Sequence, residues 1–104
     1  DKVTKPLRKL TEANLEACSE IFLAVDKLNN FSNLDKIAEN CKNIYRLERK
    51  ADKVFDKAVA DIFENESNVM DIIRYKEVMM ALEFATDSCR KVANVLEAVT
   101  VKYS

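Results

Sequence analysis

The chain of 104 residues contains no glycine, no histidine and no tryptophan, and Pro6 is its single proline. Glycine and proline mark turns and strand ends, so their near absence predicts an all-helical protein with few, short connections. The missing histidines exclude the Ser–His and Cys–His pairs of many nucleophilic enzymes and the Glu-x-x-His ligands of di-iron oxidases. The sequence therefore predicts a protein that is not an enzyme, although a mechanism built on lysine or carboxylate alone stays open.

No large charge imbalance is present either, since 17 basic and 18 acidic residues give a net charge of −1. That balance excludes the basic surface that nucleic-acid binding requires. No apolar run approaches the ~20 residues needed to span a bilayer, so we expect a cytoplasmic protein that is at most peripheral to a membrane. The scattered cysteines Cys18, Cys41 and Cys89 predict reduced thiols, buried as small apolar residues, rather than a zinc cluster.

Two polar clusters, at 29–33 and 65–68, are rich in residues that cap helices or form turns. They divide the chain into predicted helices at 4–28, 33–64 and 69–102. Short connections make neighbouring helices antiparallel, so the expected fold is a single domain over 1–104, an all-α, up-down-up three-helix bundle. Because the chain begins with Asp1, we interpret it as a fragment of a longer protein.

Each predicted helix carries apolar residues at alternating spacings of three and four, which is typical of long, coiled-coil-like packing. On the first helix these are Leu7, Leu10, Ala17, Ile21, Ala24 and Leu28. On the second they are Leu34, Ile37, Cys41, Ile44, Ala51, Phe55, Ala58 and Ile62, with Glu48 at the one polar position. On the third they are Val78, Leu82, Ala85, Cys89, Val92, Leu96, Val99 and Tyr103.

The third helix also has a second apolar band on roughly its opposite side, formed by Ile73, Met80, Phe84, Val95 and Ala98. A helix that is apolar on two sides usually packs against two neighbours. The band indicates a partner, either a second bundle of the same protein or a second subunit in a homo-oligomer. The alternative is that the bundle simply has a broad core face.

Glu48 is a carboxylate in the middle of an apolar stripe, and Asp52 lies one turn further at the stripe's edge. Burying a carboxylate without compensation costs several kcal/mol. Either a base or a bound cation must offset this cost. A base across the helix pair, Lys76 or Arg90, is favoured over the nearby Arg46, Arg49 and Lys53. Other acids fall opposite the apolar stripes and are interpreted as solvated: Glu12, Glu16, Glu20, Asp35 and Glu39.

A second acidic pair, Glu83 and Asp87, lies on the third helix. The first pair lies 14 to 18 positions before residue 66 and the second 17 to 21 positions after it. In an antiparallel pair rising ~1.5 Å per residue, the two pairs lie at nearly the same height. Carboxylate oxygens are ligands for divalent cations, so this level match favours a shared metal site, with structural salt bridging as the alternative.

The segments LERKADKVFDKAVADIFENE (47–66) and YKEVMMALEFATDSCRKVANVLEAV (75–99) resemble the C-terminal half of PhoU-like phosphate-transport regulators. The similar branch is often encoded beside low-affinity inorganic phosphate transporters. The resemblance covers about half of the chain and implies two similar three-helix bundles in one longer protein, of which this chain would be one repeat. It also implies a cytoplasmic partner of a phosphate transporter or of its signalling proteins.

The resemblance implies E/DxxxD motifs that bind multinuclear iron or other divalent metals on two helices. The motifs map onto Glu48 with Asp52, within LERKAD, and onto Glu83 with Asp87, within EFATD. Lys91 departs from the family pattern, which often has asparagine or an acid at that position, and its positive charge would repel a metal.

Two functions follow from the sequence. The first is a non-enzymatic regulator or accessory of inorganic phosphate transport, with a metal site formed by the ExxxD motifs of the second and third helices. The alternative is a helical-bundle interaction module in which the acidic pairs make structural salt bridges and hold no metal.

Overall fold

A computed structural model gives the fold and describes residues 4–29 and 34–103. Within these ranges the chain forms three helices, α1 (Thr4–Lys27), α2 (Leu34–Asn65) and α3 (Val69–Tyr103), and no strand. The predicted all-α three-helix architecture is confirmed, with helix ends within one residue of those predicted. Most of the predicted first connection, including the predicted helix start at 33, lies outside the described residues.

Polar contacts show that α1 and α2 run antiparallel. Lys27 Nζ near the end of α1 donates to Asn40 Oδ1 near the start of α2, at 2.7 Å. Glu20, two turns earlier on α1, accepts from Asn43 Nδ2 at 3.2 Å, further along α2. Contacts therefore move forward on α2 as they move back on α1.

Helices α1 and α3 run parallel. Asn14 Nδ2 donates to the Leu82 carbonyl at 3.1 Å, and Cys18 Sγ, one turn later on α1, lies 4.0 Å from Cys89 Sγ, two turns later on α3. The three helices thus form the up-down-up bundle that the short connections predicted. Its dimensions are 55 × 19 × 16 Å.

The turn between α2 and α3 is built by the second polar cluster. The Asp71 backbone N–H donates to Asn68 Oδ1 at 3.1 Å, so Asn68 is the N-cap of α3. The backbone N–H groups of Ser67 and Asn68 both donate to Glu66 Oε1. The bonds from Asn68 and Asp71 satisfy backbone donors that the start of a helix leaves without partners, which fixes where α3 begins.

The core follows the stripes predicted on α1 and α2. Fully buried side chains from these helices include Leu10, Ala17, Ala24, Ile37, Cys41 and Ile44. Ala51, Ala58 and Ile62 continue the predicted stripe of α2 past Glu48, which is half-buried, and Leu47 is buried as well although it was not predicted. The apolar pattern therefore predicted which faces of α1 and α2 are buried.

The stripe predicted for α3 is confirmed at Cys89 and Leu96, which are buried, but the buried face as a whole is rotated from it. Val78, Val92 and Tyr103 are exposed, whereas Met79, Thr86, Cys89, Ala93, Leu96 and Thr100 are buried. Taking about 100° per residue, the buried stripe lies about 60° around the helix from the predicted one, towards Glu83. Two threonines enter the core because their hydroxyls donate to α3's own backbone, Thr86 to the Leu82 carbonyl and Thr100 to the Glu97 carbonyl.

The second apolar band of α3 is exposed, so it is not part of the bundle's own core. Phe84 is 66% exposed and Val95 64% exposed. The broad-core alternative is therefore wrong for this band. Among the described residues, no helix is both long enough and apolar enough to cross a membrane.

The cysteine prediction needs one correction. Cys41 and Cys89 are buried as predicted, but Cys18 is exposed.

Candidate metal centre

Three of the four predicted site residues form a carboxylate triad between α2 and α3. Glu48, Asp52 and Glu83 each place one carboxylate oxygen within 4.8 Å of the others. All three side chains are half-buried, so the cluster is partly shielded from water but open to it. We call these three residues the triad.

Helix geometry explains how the triad forms. Glu48 and Asp52 are four residues apart on α2, which places their side chains on one face, one turn apart. Glu83 arrives from α3 because the two helices are antiparallel and because the buried stripe of α3 is rotated towards it. The two acidic pairs lie at similar distances in sequence from the turn between α2 and α3, so Glu83 lies at the height of Glu48 and Asp52.

Proton affinity in the triad is strongly perturbed. Burial, a hydrogen bond with Asp52 and the charge of Asp52 raise the pKa of Glu48 to about 7. A hydrogen bond with Asp52, followed by burial, raises the pKa of Glu83 to about 7. Like charges this close disfavour full ionisation, so near neutral pH each glutamate is only partly ionised.

Asp87, the fourth predicted ligand, does not join the triad. Its Oδ1 accepts from Arg90 Nε at 3.1 Å and from Arg90 Nη2 at 2.9 Å. Lys91 Nζ lies 3.7 Å from Asp87 Oδ2. The hydrogen bond from Arg90 lowers the pKa of Asp87 below its usual range, so this carboxylate is an ion-pair partner on the surface of α3.

Arg90 is the base whose charge acts on the triad, because its proximity partly offsets the raised pKa of Glu48. Its guanidinium is nevertheless paired with Asp87. Among the described residues no base lies within ion-pair distance of the triad. The predicted alternative Lys76 lies instead over the Phe63 ring, 5.6 Å from its centre, and Arg46, Arg49 and Lys53 are exposed.

The donor chemistry of the triad fits a hard divalent cation. Carboxylate oxygens are the ligands that Mg²⁺, Ca²⁺ and Mn²⁺ prefer, and a cation would relieve the repulsion that raises the two pKa values. Three carboxylates leave positions on such an ion for water, because these cations take six or more oxygen ligands.

One polar network was not predicted from the sequence. Asn40 is buried, accepts from Lys27 Nζ, and donates through Nδ2 to Glu20 Oε2. Glu20 is therefore half-buried and bonded rather than merely solvated, whereas Glu12, Glu16, Asp35 and Glu39 are exposed as predicted. The sequence feature that could have predicted this network is the position of Asn40 beside the apolar stripe of α2, three residues after Ile37.

A cavity of about 330 Å³ lies away from the triad, where the start of α1 meets the end of α2. Its lining includes Lys5, Lys9, Val54, Lys57 and Asp61. None of the triad residues contributes to it, so the cavity and the carboxylate cluster are separate features of the molecule.

The fold and the triad together define a class of protein, an all-helical bundle that holds a carboxylate cluster between two of its helices. Over 87 residues the chain is 31% identical to UPF0111 protein YkaA of Bacillus subtilis (strain 168). The match covers 84% of this chain and 42% of that relative, so the two are distant homologues and the chain spans less than half of the relative's length. No protein-family model and no solved structure matches the chain.

Proposed function

We propose that the chain is a non-catalytic helical bundle that binds a divalent cation through Glu48, Asp52 and Glu83. We further propose that the protein containing it regulates, or is an accessory of, inorganic phosphate transport. The first statement rests on the geometry of the triad. The second rests on the resemblance of residues 47–66 and 75–99 to PhoU-like regulators and on the distant homology to UPF0111 protein YkaA.

The convergence of three carboxylates without a paired base carries the proposal of a metal site. A structural ion pair would place a guanidinium or ammonium group among these oxygens, but the nearby Arg90 is engaged by Asp87. Protons shared by the two glutamates relieve the repulsion at low pH. A cation relieves it at higher pH, where those protons are lost, and the cation then organises the same three side chains.

The alternative function, an interaction module with salt-bridged acids, is favoured by a different part of the site. Asp87 makes ion pairs with both Arg90 and Lys91 on its own helix. The two residues of the second ExxxD motif therefore differ in role: Glu83 belongs to the triad, and Asp87 is held in an ion pair. The proposed metal site has three protein carboxylates rather than four.

The exposed apolar band of α3 supports the proposal that the bundle works in contact with a partner. That partner is a second bundle of the longer protein or a second copy of the chain, and in the cytoplasm the assembly would associate with a phosphate transporter or its signalling proteins. Exposed apolar surface of this kind marks interaction sites more often than chance.

Equilibrium dialysis against Mn²⁺, followed by measurement of bound metal, tests the site directly. We expect the wild-type chain to retain Mn²⁺ and Asp52→Asn to lose at least about tenfold in affinity, because Asp52 contacts both glutamates and removal of a charged ligand costs more than 1.4 kcal/mol.

Two control variants sharpen this test. Asp56→Asn removes an exposed acid one turn further along α2 and should leave binding unchanged. Asp87→Asn should also retain the metal, since Asp87 is paired with Arg90. Failure of the wild-type chain to bind Mn²⁺, Fe²⁺ or Mg²⁺ would contradict the metal site, and equal losses in Asp52→Asn and Asp56→Asn would show that only the net charge matters.

The role in phosphate transport is tested in cells, with the full-length protein. Its deletion should change the rate of inorganic phosphate uptake, and the wild-type gene should restore it. Full restoration by Asp52→Asn would separate the metal site from the transport role, and unchanged uptake after deletion would contradict the transport role itself.

A further inference from the structure

Two of the three cysteines form a contact that neither the metal site nor the apolar band explains. Cys18 Sγ on α1 and Cys89 Sγ on α3 are 4.0 Å apart. The third thiol, Cys41, is buried in the same core cluster as Cys89, but its sulfur donates to the Ala93 carbonyl at 3.5 Å. The chain therefore holds one thiol pair and one separate thiol.

The two paired sulfurs differ in access to solvent. Cys18 is exposed, whereas Cys89 is only 6% exposed and belongs to the core between the helices. An oxidant dissolved in water reaches Cys18 first, and Cys89 lies directly behind it. Burial, followed by the proximity of Cys18, raises the pKa of Cys89 to about 11, which is consistent with Cys18 being the thiol that reacts first.

We propose that Cys18 and Cys89 are a redox-sensitive pair that a peroxide oxidises to an intramolecular disulfide linking α1 to α3. In the first step Cys18 sulfur attacks a peroxide oxygen, the O–O bond breaks, and Cys18 becomes a sulfenic acid with release of water. In the second step Cys89 sulfur attacks the Cys18 sulfur, the S–O bond breaks, and a second water leaves. In sum, two thiols and one hydrogen peroxide give one disulfide and two waters.

The fold allows the sulfurs to approach. A disulfide has an S–S distance of about 2.05 Å, so the pair must close by about 2 Å. Ala17 and Ala93 lie in the same buried cluster as Cys89, and small side chains at a helix contact permit short distances between helix axes. Cys18 and Cys89 also lie at one level of the parallel helix pair, beyond the contact between Asn14 and Leu82 on both helices.

Counting thiols before and after oxidation tests the proposal. The reduced chain should give three alkylated cysteines, and hydrogen peroxide treatment of the purified protein should leave one, Cys41, with a mass loss of two hydrogens. Peptide mapping should recover Cys18 joined to Cys89, and dithiothreitol should restore all three thiols. The cross-link closes a long loop, so oxidation should raise the melting temperature by at least about 5 °C.

Three variants serve as controls. Cys41→Ala keeps the pair and should still form the cross-link, leaving no free thiol. Cys18→Ala, at an exposed position that does not disturb the core, should abolish it, and Cys89→Ala should abolish it too. Three thiols remaining after peroxide, conversion of Cys18 to sulfinic acid, or a disulfide joining two chains through Cys18 would each overturn the proposal.

Discussion

Glu48 and Glu83 hold part of a proton each near neutral pH, because their burial and the neighbouring Asp52 raise both pKa values to about 7. A carboxylate in an apolar stripe, the most unusual feature of α2, is therefore accommodated by two neighbouring carboxyl groups rather than by a base. The sequence predicted Glu48 and Asp52 from their positions in the apolar pattern and Glu83 from its height. It could not assign Asp87, because the choice between the triad and Arg90 depends on the rotation of α3.

The raised proton affinity of the triad makes stability depend on pH. The pKa of each glutamate is about 7 in the folded chain against a usual 4.5, so between these values the folded state binds more protons than the unfolded state. Linkage then requires the free energy of unfolding to fall as pH rises. Allowing for solvent screening and for the coupling of the two sites, we expect a fall of about 1–2 kcal/mol from pH 5 to pH 8.

Urea unfolding in the presence of a chelator measures this fall. Asp52→Asn should reduce the pH dependence, because it removes the negative charge that raises both pKa values, and Asp56→Asn should leave it as in the wild type. A free energy of unfolding that stays level or rises between pH 5 and pH 8 would show that the pKa values of Glu48 and Glu83 are not raised in the folded chain.

At the scale of the helices, the spacing of three and four predicted which faces of α1 and α2 are buried, although α1 also leaves Leu15 and Phe22 exposed. α3 has apolar residues on two sides, so spacing alone did not fix which side faces the core. Thr86 and Thr100 obscured the pattern further, since their polar hydroxyls are satisfied inside the helix. For the same reason, the sequence did not determine which of Glu83 and Asp87 faces α2.

Adjacent residues on α3 provide a test of its rotation. Met79 is fully buried, whereas Val78 is 49% exposed. We expect Met79→Ala to lower the free energy of unfolding by about 2–5 kcal/mol, because it leaves a cavity in the core. Val78→Ala should lower it by less than about 1 kcal/mol. Chemical denaturation of both variants checks this, and the reverse order would support the stripe predicted from the sequence.

At the scale of the whole molecule, the bundle is long, narrow and apolar on part of its outside. Phe84 and Val95 on α3 belong to a band that the three helices leave exposed. The number and order of the helices followed from composition and from the two polar clusters. Composition and the polar clusters do not predict what covers the band, because a sequence shows that a surface is apolar but not what packs on it.

If a second copy covers the band, self-association should depend on Phe84. Phe84→Glu removes an aromatic side chain, whose burial is worth about 1.5–3 kcal/mol, and should weaken association by at least about tenfold. Ala60→Glu makes a similar change in charge at an exposed position of α2 and should have no effect. Sedimentation velocity over a range of concentrations measures both, and a wild-type chain that stays monomeric at high concentration would exclude a second copy as the partner.

The proposal that the triad exchanges protons for a divalent cation is tested most directly by counting protons released on binding. Isothermal titration of the chain with Mn²⁺ at pH 7, in buffers of different ionisation enthalpy, gives that count. Two glutamates with pKa values of about 7 together hold about one proton at this pH, so we expect ~1 proton released per bound ion and binding by Asp52→Asn weakened at least about tenfold. Binding without proton release, or undiminished binding by Asp52→Asn, would contradict the triad as the cation site.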